Sequence, residues 1–238
     1  MSRVHDAPVF LIGGGRDAAA VLAVHRPFTA ALAGDGPVAC IVLDEGDDTD
    51  RARWEGNLRD AGAADVRTLV VSASRPLTAP DLDGVAGVYV AGGHTPGYQE
   101  ALAGAGLPAV PYAGFSAGAA IAGERALVGG WRARIGEAEV AVVDDGAGED
   151  LELIEVRDGL GLVTVLADVH AAQWGTLGRL VHAVRTEDRE GWAIDEGTAL
   201  ELRGGEPVAV HGLGAAARVR PAAGGEVTVR MFAAGPLG

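Results

Sequence analysis

The sequence predicts an α/β fold, with a mostly parallel central sheet between helical layers and an antiparallel extension toward the C-terminus. Three observations carry this. In the first half, short continuous apolar runs alternate with helix-length segments, as expected of strands buried on both faces. Glycine supplies 37 of 238 residues, while Phe, Trp and Tyr together reach only 5%. The usual glycine share is ~7%, so tight turns and close helix–strand packing fit better than an aromatic-rich β-sandwich. From Gly191 onward, short strand-like runs separated by Gly-rich turns indicate antiparallel pairing.

The elements follow in order. An apolar run over residues 8–12 stops at Gly13-Gly14-Gly15, and residues 17–33 read as a helix. Residues 38–43 form the next strand, followed by a polar helix near 48–61 and a third strand over 66–72. Residues 85–91 make a fourth strand ending in Gly92-Gly93, with a helix over 96–103. Residues 109–115 make a fifth, ending at Ser116, with a small-residue helix after it. In the second half, 137–143 and 151–156 read as strands around the acidic loop 144–150. The apolar run 162–167 leads into Asp168-Val169-His170, and 174–184 reads as one helix. The late strands are expected as an antiparallel edge or extension. No internal repeat and no long linker divides the chain, so residues 1–238 are expected to form a single domain. A chain of this length buries a sufficient core without a disulfide or metal.

Composition narrows the function classes. The 19 basic residues, all arginine, stand against 33 acidic ones, for a net charge of −14. Such a chain repels phosphate backbones, which disfavours nucleic acid as a partner. Cys40 is the only cysteine, cannot form an internal bridge, and lies in the apolar run VACIVL as an expected buried strand residue. Residues 101–123 carry no charge, yet Pro108, Pro111 and five glycines make them a poor membrane helix. The N-terminal apolar run is too short for a signal peptide. A soluble, cytoplasmic protein without membrane contact is expected.

The chemistry centres on GFSAG, residues 114–118. A serine flanked by small residues, after an apolar strand and before a helix, has the form of a nucleophile elbow. The sharp turn lifts the hydroxyl clear of the sheet and needs small neighbours. The following helix aims its first amides at the place where negative charge develops in acyl transfer. A nucleophilic serine needs a base. His5 falls in an expected frayed terminus, His25 and His182 in helical patterns at the surface or a helix end, and His211 in a late turn. His94 follows a strand-end Gly-Gly and could line a site. His170 is the best candidate, because it ends a strand where the loops of an open parallel sheet form a crevice. The acid that orients it is Asp168, Asp195 or Glu196, and spacing alone does not choose.

These residues carry a resemblance. GFSAGAAI, the strand-end VAGG, ADVHAAQWGTLGRL, GWAIDEGTALEL and the early LIGGG resemble, as a set and in their order along the chain, the serine-peptidase family of cyanophycinase and aspartyl dipeptidase. The likeness runs from about Phe10 to Gly214. It implies a three-layer α/β sandwich, flavodoxin-like and related to class I glutamine amidotransferases, and a homodimer. It also implies Ser116 as nucleophile, His170 as base, Glu196 as the orienting acid, and Gly93 and Ala117 as amide donors to the oxyanion. His94, Thr95, Asp168, Gln173, Trp174 and Arg179 become the expected substrate contacts, with Asp168 the fallback acid and Arg179 able to meet a substrate carboxylate.

The chain also departs from the family pattern. Gly92-Gly93-His94-Thr95 stands where cyanophycinases have Gly-Gly-Asp and then Gln, and Trp174 and Thr176 stand where two arginines are expected. A pocket without those groups is poorly suited to a highly charged β-aspartyl-arginine unit. The expected activity is therefore serine-type hydrolysis of a small peptide or isopeptide, without cofactor or metal. The alternative within this fold is a non-catalytic ligand-binding protein. A rival reading takes Gly13, Gly15 and Ala18, with Asp44 closing the second strand, as a dinucleotide fingerprint. The spacing to Asp44 is long for it.

Overall fold

Runs of apolar residues without a charged side chain become strands in which every residue is buried, so both sheet faces are covered. In a computed structural model of the chain, which describes residues 5–32, 34–46 and 50–237, four such strands are β1 (Val9–Ile12), β2 (Val38–Leu43), β4 (Gly87–Val90) and β5 (Tyr112–Phe115). β3 (Val66–Val71) lies at the sheet edge, where partial exposure accommodates Arg67 and Thr68. These five strands pair in parallel in the order β1-β5-β4-β2-β3.

The intervening helices are α1 (Ala18–Ala30), α2 (Arg51–Asp60), α3 (Thr95–Leu102) and the single turn α4 (Ala117–Ala120). Asp17 caps α1 by accepting the amides of Ala19 and Ala20 at 2.8 and 3.2 Å, which satisfies two of the helix's free donors. The helix therefore starts one residue later than the sequence indicated. The expected ends of two helices, at Ala33 and Asp48, lie outside the described residues, as do Met1–Val4 and Gly238.

The second half departs further from expectation. Strand β8 (Ala138–Ala141) pairs with β7 (Arg132–Ile135), and β9 (Glu155–Asp158) pairs with β6 (Arg125–Gly129). The two predicted strands are thus not partners, and each pairs with a charged segment that apolar patterning did not reveal. Residues 151–154 lie outside any strand, after Glu149 and Asp150 turn the chain with φ of +56° and +60°. The single helix expected over 174–184 is two, α5 (Ala171–Trp174) and α6 (Leu177–Glu187), because Gly175 ends the first at φ +70°. Between them, Thr176 is buried and donates its hydroxyl to Val169 O at 2.8 Å.

The late strands do not form an edge. β12 (Thr198–Arg203) and the long β13 (Glu206–Pro221) lie inside the sheet, between β1 and β11 (Gly191–Ile194). Only β14 (Val227–Pro236) is an extension, added onto β13. The reason is the length of β13. Its first part runs antiparallel to β12 and its second part antiparallel to β11. β11 enters β12 through the short turn 195–197, and β13 follows it around the corner, curling the sheet. β10 (Leu166–Val169) pairs in parallel with β11. The C-terminal ends of β1, β5 and β10 thereby meet: Ser116 N donates to Ile12 O at 2.8 Å, His170 N to Gly13 O at 3.0 Å and Gly197 N to Gly14 O at 2.8 Å. The result is a mixed α/β fold with a mostly parallel sheet covered by helices. No helix among the described residues is long and apolar enough to cross a membrane.

Candidate active site

The site stands where those strand ends converge. Ser116 leaves β5 with φ +51° and ψ −109°, a conformation that costs about 1–3 kcal/mol for a non-glycine residue and persists only where its surroundings impose it. Here β1 imposes it by accepting the Ser116 amide, while the buried Ala117 and Gly118 leave room for the turn. His170 is left-handed too, at φ +54° and ψ +38° as β10 enters α5. Gly14 makes that possible, because a side chain at its position would occupy the space of the His170 imidazole.

The two strained residues face each other. Ser116 Oγ lies 2.8 Å from His170 Nε2, and His170 Nδ1 lies 2.8 Å from Glu196 Oε1. A carboxylate only accepts hydrogen bonds, so Nδ1 carries the proton and the Nε2 lone pair faces the serine hydroxyl. Glu196, in the turn after β11, is fixed by its own amide, which donates to Gln173 Oε1 at 2.9 Å. Trp174 covers the imidazole, with ring centroids 4.0 Å apart and planes within 10° of parallel. Burial pushes the His170 pKa down, opposed by the hydrogen bond and charge of Glu196 and the charge of Asp168. The ring is thus a neutral base at pH 7 with a carboxylate placed to stabilise its protonated form.

These groups open on a cavity of about 510 Å³, lined by Gly93, Ser116, His170, Trp174 and Glu196. Gly93 stands beside the Glu45 carboxylate at φ +155°, a backbone conformation that residues with side chains rarely adopt. The Ala117 amide opens the first turn of α4, where a helix has no internal acceptor for it. Among the lining residues that sequence reasoning missed are Arg16, Glu45, Arg53 and Trp54. Arg16 and Glu45 follow strand ends, a signal that could have found them. Arg53 and Trp54 sit on α2, and nothing in the sequence singles them out.

Other expectations need correction. Asp168 and Arg179 do not face the cavity. Both are buried in a two-pronged ion pair, Nε to Oδ2 at 2.9 Å and Nη2 to Oδ1 at 2.8 Å, and Arg179 also donates to the carbonyl of Ala147. Asp168 additionally accepts the Val169 amide. Glu196, not Asp168, therefore touches the imidazole. Thr95 is buried, with its amide on Glu149. His94 caps α3 by accepting the Gly97 amide, and it lines a neighbouring recess. Gln173 holds the Glu196 backbone.

His182 lies in α6, a helix as expected, whereas three other histidines differ from expectation. His25 is fully buried and bonded to Tyr89 because α1 packs that face on the sheet. His5 is tied to Val110 O at 2.8 Å, and His211 sits within β13, bonded to Glu201. Cys40 is buried in β2 as expected, its thiol pushed up to about 12 by burial. The glycines after β1 serve the site itself: Gly14 O accepts from Gly197, and Gly14 meets His170. Among the described residues, no group of three His, Cys, Asp or Glu side chains could hold a metal.

No protein-family model and no curated protein matches the chain. Solved structures do. A peptidase from an acI-B1 Actinobacterium is similar at 15% identity and a TM-score of 0.54, over 96% of this chain and 95% of the other. A putative peptidase E protein from Listeria monocytogenes EGD-e is similar at 19% identity and a TM-score of 0.56, over 87% of this chain and 99% of the other. At these identities the likeness shows a shared fold, and it extends over nearly the full length of both chains.

Proposed function

We propose that the chain is a serine-type peptidase that hydrolyses a small peptide or isopeptide through an acyl-enzyme on Ser116, akin to the cyanophycinase and aspartyl dipeptidase family. The observation that carries this reading is the unbroken hydrogen-bond chain from Ser116 Oγ through His170 to Glu196, held by two strained backbone turns. Strain of this kind at a cavity wall belongs to reacting groups more than to packing. The two similar structures are each described as a peptidase, which supports peptide hydrolysis as the activity.

In this reading His170 Nε2 takes the hydroxyl proton as Ser116 Oγ attacks the substrate carbonyl. The amides of Gly93 and Ala117 receive the developing oxyanion. Glu196 stabilises the imidazolium, which then protonates the departing amine. Water enters, gives its proton to His170 and releases the acid, restoring the serine. A β-aspartyl-arginine polymer is not the expected substrate. Trp174 and Thr176 replace the arginines that would read it, and Arg179 is already bound to Asp168.

The test is intact-mass spectrometry after incubation with a fluorophosphonate, beside Ser116→Ala and His170→Ala. One adduct on the wild type, absent from both folded variants, is the expected result. A folded wild type that stays unmodified, yet binds small ligands in a thermal-shift screen, would replace the peptidase reading with a non-catalytic binding protein.

A further inference from the structure

The cavity that holds Ser116 also contains two guanidinium groups the proposed reaction does not use. Arg53 reaches in from α2, its guanidinium 4.3 Å from the Trp54 ring centroid and 5.8 Å from that of Phe115. Stacking on aromatic faces fixes its direction without consuming its in-plane N–H donors. Those donors are little used. One reaches Gly15 O at 3.4 Å, and the half-exposed Asp50 carboxylate lies 3.8 Å away. Arg16, exposed and next to Gly15, lines the same cavity and has no hydrogen-bond or ion-pair partner among the described residues. Two cations thus share one cavity in a chain of net charge −14. Three acids line the same cavity, yet none hydrogen-bonds either guanidinium: Asp50 stays 3.8 Å from Arg53, Glu196 bonds His170, and Glu45 accepts the His94 amide at 2.7 Å, beside Gly93.

Position identifies what they would hold. In a serine acyl transfer, the departing amine receives its proton from the histidine, so the leaving part of the substrate lies on the His170 side. The segment Gly14-Gly15-Arg16 runs along that side, with Gly14 against the imidazole and Gly15 against Glu196. Arg53 donates to the same segment. Gly93, the proposed oxyanion donor, lines the same cavity beside Glu45.

From this we infer that Arg16 and Arg53 form a subsite for a free carboxylate on the leaving portion of the substrate, so that the enzyme cleaves short peptides close to their C-terminus. The inference rests on the peptidase reading for the identity of the ligand, but the anion subsite can be measured without turnover. A guanidinium pair recognises a planar carboxylate through charge-assisted hydrogen bonds and loses most of that recognition toward a neutral amide. The cavity, at about 510 Å³, falls within the ~300–1,000 Å³ usual for small ligands.

The experiment uses the full chain carrying Ser116→Ala, which binds without cleaving. Equilibrium dialysis against an equimolar mixture of dipeptides, offered once as free acids and once as C-terminal amides, is read by mass spectrometry. Acids should be retained at least about tenfold better than amides, the ratio expected for losing one charge-assisted contact. Arg16→Met, at an exposed position where substitutions usually change stability little, should erase most of that preference. Arg53→Met should do the same, with Arg53→Lys restoring part of it. Equal retention of acids and amides, a preference untouched by Arg16→Met, or no retention at millimolar concentration would each overturn the subsite. Failure of the peptidase reading looks different: acids are retained through the arginines while wild-type Ser116 takes no fluorophosphonate.

Discussion

His25 and His170 are both buried imidazoles that use both ring nitrogens, yet only one is fit for chemistry. His25 sits in α1 with Nδ1 on Val21 O at 2.6 Å and Nε2 on the Tyr89 hydroxyl at 2.9 Å. Neither partner carries charge, the Arg53 charge opposes protonation, and burial drives its pKa down to about 4. His170 is pushed in the same direction by burial, but a carboxylate on Nδ1 opposes the shift. One ring is locked neutral, whereas the other can take a proton and lose it again. The difference lies in the partner of the second nitrogen and in the backbone. His25 continues a regular helix, while His170 is bent into the left-handed region so that its ring reaches over Gly14 to the serine.

The largest expected effect breaks that contrast at the base. His170→Ala should slow phosphonylation of Ser116 by about 10²–10⁴-fold, the usual contribution of a general base, while His25→Gln leaves the rate near wild type. Equal losses from the two variants would remove the distinction between them. The pH dependence sharpens it. Labelling requires neutral His170, whose folded pKa lies below the ordinary 6.5, so the rate should fall as pH drops through that lower value. Glu196→Gln removes the group holding the pKa up, so it should move the acid limb further down while lowering the plateau. A limb that stays in place would show that Glu196 does not tune the ring.

Next in size is the separation of the two acids near His170. Asp168 is 2% exposed and holds the buried Arg179, whereas the Glu196 side chain is 32% exposed and holds only the imidazole and its own turn. Asp168→Asn leaves a buried guanidinium without its counter-charge, a loss of about 3–5 kcal/mol. Glu196→Gln should cost far less stability and far more labelling rate. Urea denaturation of both variants, set beside their labelling rates, checks the split. If Asp168→Asn proved stable but slow, Asp168 would be the orienting acid.

His25 gives a stability effect of opposite use. Its pKa is about 4 folded against 6.5 unfolded, so the unfolded chain binds the proton first as pH falls. Stability should decline between roughly pH 6.5 and 4, by an order-of-magnitude total of about 3 kcal/mol. His25→Gln should weaken the fold at pH 7 through Tyr89 yet flatten that slope, which denaturation midpoints at pH 5 and 7 would register.

The sequence made the site legible where chemistry coincides with a strand end. Ser116 and His170 each follow a short apolar run, and Glu196 follows a third, so the pattern that predicts strands also marks where loops converge. The same logic failed for Asp168 and Arg179, whose types suggest a substrate contact. Only three-dimensional packing reveals that they satisfy each other in the interior. Likewise His25 looked peripheral because a lone polar residue on an apolar helix is silent about its partner, Tyr89, 64 residues away. The curl of the sheet was illegible for a different reason. β13 changes partners midway, and no local signal distinguishes that from two short hairpin strands.

The smallest expected effect concerns the lid on the active histidine. Trp174 stacks on His170 but is 44% exposed, so it contributes little to the core. An aromatic pair of this kind contributes about 0.5–1.5 kcal/mol beyond its burial. Trp174→Leu keeps an apolar cover and removes the π face, so labelling should slow by about 2- to 10-fold at nearly unchanged stability. The cause can be read from pH. An indole face favours a cation above it, so losing it should lower the His170 pKa and shift the acid limb downward, with Trp174→Phe falling between. A slower rate without that shift would assign Trp174 to steric orientation of the ring. An unchanged rate would mean that Glu196 and the Gly13 carbonyl suffice to hold His170, leaving the carboxylate and the left-handed backbone to separate it from His25.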